Sequence, residues 1–198
     1  MLNLHAPFRR ATPDDARVIA ELTDCAGQGM PSLLWADEAA AGEGPLDVGA
    51  RFVQRAGYAL SYENAVVGEH DGRVTSLLLG CLDSTEEADL TDAPEIVRPL
   101  IRLKRQAPGR WHVHALAVVP EHRRQGLGTR LLRIVDPLAA DEGLTETSLT
   151  VAETNEGARR LYEHEGYRVV ASEPMMPNPR MDLSGNWLLM TRPVVPQG

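Results

Sequence analysis

Nine residues in a row, Trp111-His112-Val113-His114-Ala115-Leu116-Ala117-Val118-Val119, are apolar except for two histidines. They lead into Pro120-Glu121-His122-Arg123-Arg124-Gln125-Gly126-Leu127-Gly128-Thr129. An apolar run without alternation reads as a strand buried on both faces, in the interior of a sheet. Beyond the turn, Leu127, Leu131, Val135 and Leu138 recur at helical spacing, so a helix with one apolar face follows. Pro137, in the last third of that stretch, is expected to kink or end the helix. A strand that ends in a turn of small and basic residues and then starts a helix makes an anion site. The first helical N–H groups lack partners inside the helix, and the helix dipole adds about half a positive charge there. Gly126 and Gly128 let a ligand approach the backbone, and Arg123 and Arg124 supply charge for phosphate oxygens. The turn is neither the GxxxxGK[ST] loop nor the GxGxxG dinucleotide turn, and a nucleotide-phosphate site would want a lysine and metal ligands that are missing here.

The rest of the chain supplies a sheet around this strand. Pro7–Ala11 reads as a first short strand. Thr12, Pro13 and two aspartates then form a helix start, with Val18, Ile19 and Leu22 as its apolar face. A second helical stretch falls within Leu33–Ala59, interrupted at Gly42–Pro45. Asn64–Leu82 is a hairpin folded about Asp71-Gly72, a dipeptide suited to positive φ. The segment Asp83–Arg110 begins acidic (Asp83, Glu86, Glu87, Asp89, Asp92, Glu95). It continues as a basic helix with Arg98, Arg102 and Arg105 on one face, Val97, Ile101 and Lys104 beside them, and Pro99 near its start. That helix is either a solvated basic face or a wall over an acceptor site. Leu144–Ala152 reads as an alternating strand, and Glu156–Glu165 as a short helix closed by Gly166. Two final strands flank the loop from Pro174 to Gly185. No internal repeat or linker breaks the order β, α, α, hairpin, insertion, β, α, β, α, β, β, which predicts a single domain of mixed α/β class spanning 1–198.

The formal net charge of −8 disfavours a nucleic-acid surface. Of twenty basic residues only Lys104 is a lysine. Cys25 and Cys81 lie far apart and outside metal-ligand spacing, so two thiols and no metal are expected. The start of the chain lacks the apolar core of a secretory signal, and no apolar run reaches membrane-spanning length. A cytoplasmic protein with neither membrane nor nucleic-acid partner is the expectation.

Arg123-Arg124-Gln125-Gly126-Leu127-Gly128 resembles the [Q/R]-x-x-G-x-[G/A] motif of the GNAT N-acetyltransferase superfamily. The preceding Leu116–Arg123 is similar to that family's fourth strand and its exit, and Asn155–Tyr167 to its second motif. The resemblance is specific from His112 to Tyr167. It implies a GNAT-like fold: a central, mixed, mostly antiparallel twisted sheet of about six or seven strands with helices on both faces. It implies acetyl-CoA as co-substrate, held at its pyrophosphate by Arg123, Arg124, Gln125, Gly126, Gly128 and Thr129. The backbone N–H groups of Leu116 and Val118 would hold the acetyl carbonyl and the pantetheine amide, and Asn155 would hold the cofactor arm. The implied reaction is direct acetyl transfer to a primary amine of a small molecule, peptide or protein, with Tyr162 as general acid. The residues agree. Asn155 and Tyr162 are two helical turns apart on one face, and a phenol of pKa about 10 is able to protonate a thiolate of pKa about 8.5.

The base is open between His112 and His114, which share a side of their strand, Glu69 on the hairpin, and a water-mediated route. Some members of the family carry a glutamate where this chain has His112. Acceptor specificity is expected in Gly29–Ala59, in Asp83–Arg110 and in the Pro174–Gly185 loop. A homodimer through the C-terminal strands is the implied assembly. The alternative function is a non-catalytic module that senses acyl-CoA on the same fold.

Overall fold

A computed structural model describes residues 4–82, 90–181 and 184–195. Its strands are β1 (Phe8–Arg10), β2 (Ala65–His70), β3 (Arg73–Leu82), β4 (Trp111–Val118), β5 (Glu146–Ala152), β6 (Arg168–Pro174) and β7 (Asn186–Pro193). Its α-helices are α1 (Ala16–Ala26), α2 (Met30–Asp37), α3 (Pro45–Val53), α4 (Arg98–Arg105), α5 (Leu127–Asp141) and α6 (Glu156–His164). The seven strands form one mixed sheet in the order β1-β2-β3-β4-β5-β7-β6. β1–β2, β2–β3, β5–β7 and β6–β7 pair antiparallel. β4 and β5 run parallel, paired at Trp111↔Thr147, His112↔Ser148 and Val113↔Leu149. The expected mixed α/β class and strand number are therefore observed. The chain divides into two compact units, one comprising the residues up to Cys81 with His114–Arg133, the other Leu82–Val113 with the residues from Ile134 onward.

In the first unit the predicted helix start is present. The Thr12 N–H donates to Asp15 Oδ2 at 2.7 Å, and Pro13 opens a short 3₁₀ turn that leads into α1. α1 buries Ile19, Ala20 and Leu22 against Val48 and Val53 of α3 and against Val67, Leu77 and Leu79 of the hairpin. Ala115 and Ala117 of β4 complete this core. Trp35 of α2 lies directly on α3, where a Cβ at Gly49 would stand 2.6 Å from its ring. The stretch expected within Leu33–Ala59 is two helices, the first starting at Met30. The hairpin turns at Asp71 and Gly72, both at positive φ (49° and 72°).

In the second unit α4 begins with Pro99 in its first turn, as expected, and packs with Pro99 and Leu103 inward; Ile96, just before it, is also buried. Arg102 pairs with Glu173 of β6 (3.7 Å) and Arg105 is exposed, so the basic face is only partly solvated. Of the acidic half of this segment, Asp83, Glu86, Glu87 and Asp89 lie outside the described residues, as do residues 182–183 of the Pro174–Gly185 loop. One expectation is narrowed and one corrected. Pro137 does not end α5, which continues to Asp141. The backbone hydrogen bond it forfeits is offset by burial of Val135, Leu138 and Ala139 around it. β5 does not alternate between core and solvent: Thr147 and Ser148 are as buried as Leu149 and Val151. Their hydroxyls are satisfied internally, by the Tyr167 phenol (3.0 Å) and by the His112 ring (2.9 Å). A buried pair, Arg192–Asp136, made by two bonds of 2.8 and 3.0 Å, ties β7 to α5 within this unit. Among the described residues no helix is long and apolar enough to cross a membrane.

Candidate active site

The turn after β4 is set by local backbone chemistry. The Val119 N–H donates to the Thr75 carbonyl (2.9 Å), and Pro120–His122 make one 3₁₀ turn. Arg124 and Gly126 then both adopt positive φ, 63° and 78°. The left-handed region costs a residue with a Cβ about 1–2 kcal/mol, so Gly126 is free of strain here and Arg124 is not. Gly126 caps α5 with its carbonyl, accepting from the Arg130 N–H at 3.0 Å. The N–H groups of Leu127, Gly128 and Thr129 therefore form the first turn of a fifteen-residue helix, before its first internal bond. No acidic residue stands in that first turn. A Cβ at Gly126 would meet nothing within 4 Å, so the approach to the turn is open.

Arg123, Arg124, Gln125 and Gly126 are all exposed. Arg123 is held by its own strand: its Nε donates to the Val118 carbonyl (2.9 Å), and its Nη2 lies 3.8 Å from Cys25 Sγ on α1. Gln125 donates to the Glu121 carbonyl at 3.4 Å. Arg130 donates to the Ala6 carbonyl (3.3 Å) with its guanidinium 4.8 Å from the centre of the Phe8 ring. These bonds fix the turn and concentrate positive charge on it.

On β4, burial alternates from Val113 onward: Val113, Ala115 and Ala117 are buried, while His114, Leu116 and Val118 are half-buried. Leu116 and Val118 thus share one face with His114, and they follow the last position paired with β5. The two histidines have different surroundings. His112 is 2% exposed, with its Nδ1 2.9 Å from Ser148 Oγ. His114 is half-buried, with its Nε2 3.4 Å from Cys81 Sγ on β3. Glu69 pairs with Arg9 (3.0 Å), whose hydrogen bond pulls its carboxyl below the usual range and makes it a poor base near neutral pH.

In the second unit Asn155 caps α6, its Oδ1 accepting from the Ala158 N–H at 3.2 Å. Its NH₂ group makes no hydrogen bond among the described residues. Neighbouring Glu153 accepts from Asn186 Nδ2 (2.8 Å). The helix closes as expected at Gly166 (φ 89°), with Tyr167 N–H bonded to the Tyr162 carbonyl (2.9 Å) and Gly166 N–H to that of Glu163 (3.1 Å). Tyr162 is 7% exposed and meets Tyr167 edge-on at 6.1 Å. Burial pushes its phenol well above the ordinary tyrosine value, so it stays protonated across the neutral range. Ser148 and Cys81, the partners of the two histidines, escaped the reading of the sequence. Among the described residues no cluster of three metal-ligating side chains occurs.

An N-acetyltransferase of Staphylococcus aureus Mu50 shares the fold at a TM-score of 0.62 and 19% identity, over 94% of this chain and 100% of its own. The yncA protein of Salmonella typhimurium, solved with its cofactor acetyl-CoA, does so at 0.62 and 18%, over 98% and 97%. An agmatine N-acetyltransferase in its apo form gives 0.68 and 16%, over 94% and 98%. At such identities these likenesses establish the fold, that of the N-acetyltransferases. The family model for the acetyltransferase (GNAT) family matches residues 34–167, and the chain belongs to that family. No curated protein matches it.

Proposed function

We propose that this protein is an acetyl-CoA-dependent N-acetyltransferase that moves the acetyl group directly to a primary amine of a small molecule, peptide or protein. One observation carries the reading. The turn before α5 holds Arg124 and Gly126 in left-handed conformation, is open above Gly126, and presents the first N–H groups of a long helix on a basic surface. That is a cradle for a pyrophosphate. The N–H groups of Gln125 to Thr129 and the Arg124 side chain hold the phosphates, with Arg123 bracing the turn against Val118 and adding charge. Acetyl-CoA supplies the acyl group already activated as a thioester.

The N–H groups of Leu116 and Val118 serve the acetyl carbonyl and the pantetheine amide, fixed donors of the kind that stabilise an oxyanion. Asn155 contributes its NH₂ group to the cofactor arm, and Tyr162, kept protonated by burial, gives the departing thiolate its proton. His114 is the better placed of the two histidines to take the proton of the amine, because it is half-buried while His112 is enclosed with Ser148.

Calorimetric titration with acetyl-CoA tests the reading. Gly126→Glu places a carboxylate at the turn; about 4 Å from a phosphate at an effective dielectric near 20, it would weaken binding about a hundredfold or more. Thiol release on adding primary amines then separates an enzyme from a sensor. Binding without release with any amine would favour the non-catalytic alternative, and no binding by folded wild-type protein would refute the reading.

A further inference from the structure

Cys81, the last residue but one of β3, is half-buried, and its sulfur lies 3.4 Å from Nε2 of His114 on β4. A thiol in hydrogen-bond reach of an imidazole is the arrangement that generates a nucleophilic thiolate. On the proposed assignment the pair also lies beside the stretch of β4 that meets the acyl group. His114 shares the half-buried face of β4 with Leu116 and Val118, the residues assigned above to the acetyl carbonyl and the pantetheine amide. The second thiol, Cys25, is exposed and stands beside Arg123 rather than a histidine.

We infer that Cys81 is a second acyl acceptor, which takes the acetyl group from acetyl-CoA when no amine occupies the site. The inference rests on the proposed use of acetyl-CoA. His114 Nε2 takes the proton of the Cys81 thiol, and the resulting thiolate attacks the acetyl carbonyl carbon. A carbon–sulfur bond to Cys81 forms, the carbon–sulfur bond to coenzyme A breaks, and the departing coenzyme A thiolate recovers the proton from His114. One thioester replaces another, so no oxidant or further energy source is required and the exchange reverses with excess coenzyme A. The amine reaction remains the direct one; Cys81 is a reversible parking place for the acyl group.

The test is intact-mass and peptide mass spectrometry of the full chain incubated with acetyl-CoA and no amine. The expected result is the mass of one acetyl group on the Cys81 peptide, removed by hydroxylamine or by excess free coenzyme A. The more exposed Cys25 is the internal control, since uncatalysed exchange would label it first. His114→Gln should slow labelling of Cys81 at least tenfold. It should also slow alkylation of Cys81 by iodoacetamide without acetyl-CoA, a measurement independent of the cofactor. Cys81→Ala should abolish the label. Calorimetry on the same samples separates the two readings. Acetyl-CoA binding with Cys81 unlabelled, with Cys25 labelled as fast as Cys81, or with labelling indifferent to His114 overturns this inference alone. Absence of acetyl-CoA binding overturns the proposed function and this inference with it.

Discussion

Replacing Tyr162 with phenylalanine removes one oxygen and leaves the ring in place. The ring is buried and meets Tyr167 edge-on at 6.1 Å, so phenylalanine retains the packing and gives up at most one hydrogen bond. A net hydrogen bond is worth about 1 kcal/mol, or roughly 2–4 °C in Tm at this chain length. Loss of a proton donor in the transition state costs about 10²–10⁴-fold in rate. Burial decides where in that range the effect falls. A phenol held above its usual value, donating to a thiolate of pKa about 8.5, donates uphill, which places the loss near the low end, about 10²-fold or 2.7 kcal/mol. KM for acetyl-CoA should hardly move. The assay is thiol release at saturating acetyl-CoA, with Tm measured in parallel. Tyr167→Phe is the contrasting variant: its phenol accepts from the fully buried Thr147 hydroxyl at 3.0 Å. The Arg192 carbonyl, 3.4 Å away, remains as an acceptor for Thr147, so the loss is one net hydrogen bond, about 1 kcal/mol or roughly 2–4 °C, with turnover retained. If Tyr162→Phe keeps wild-type turnover, or loses it only in proportion to lost folded protein, the proton-donor role is wrong.

The Arg192–Asp136 pair is nearly sealed from solvent, and Asp136 also accepts from the Val195 N–H at 3.1 Å. Asp136→Ala leaves a buried guanidinium without its carboxylate, for an expected loss of about 3–5 kcal/mol, or roughly 6–20 °C in Tm; a fall of less than about 3 °C by calorimetry would contradict it. Asp15 titrates below its usual value because Arg9 hydrogen-bonds to its carboxylate. The stability it contributes is present above the unfolded value of 3.8 and is lost as pH falls through the lower folded value. Urea melts at pH 7 and pH 3 should show a smaller acid-induced loss for Asp15→Asn than for wild type, and equal losses would rule the linkage out.

What the sequence disclosed follows from how local each signal was. Apolar periodicity marked β4 and α5, turn chemistry marked Asp71-Gly72 and Gly166, and Thr12-Pro13 marked the entry to α1, because each needs only neighbours within a few positions. The turn before α5 was legible for the same reason: the end of β4, the small and basic residues and the start of the helix lie within a few positions. The partners of the histidines were not. Cys81 is thirty-three positions from His114 and Ser148 thirty-six from His112, and neither pairing has a local signature. β5 was misread because Ser148 and Thr150 alternate with Leu149 and Val151 as if half the strand faced water. Hydroxyls that bond inward cost little to bury, and polarity alone does not say which way they point.

The same distinction explains why two histidines of one strand, equal in the sequence, are unequal in the structure. Both lie on the side that period two assigns them, yet Ser148 stands opposite His112 in the parallel ladder and the pair is sealed. An imidazole 2% exposed and bonded to a hydroxyl is closed to an incoming amine. His114 comes one residue after the last position paired with β5, remains half-buried and meets a thiol. Its ring stays within reach of solvent and of an approaching molecule. Access to the two rings along β4 therefore follows where ladder pairing with β5 ends, a long-range property of the sheet. The nine-residue apolar run announces the strand and is silent about that boundary.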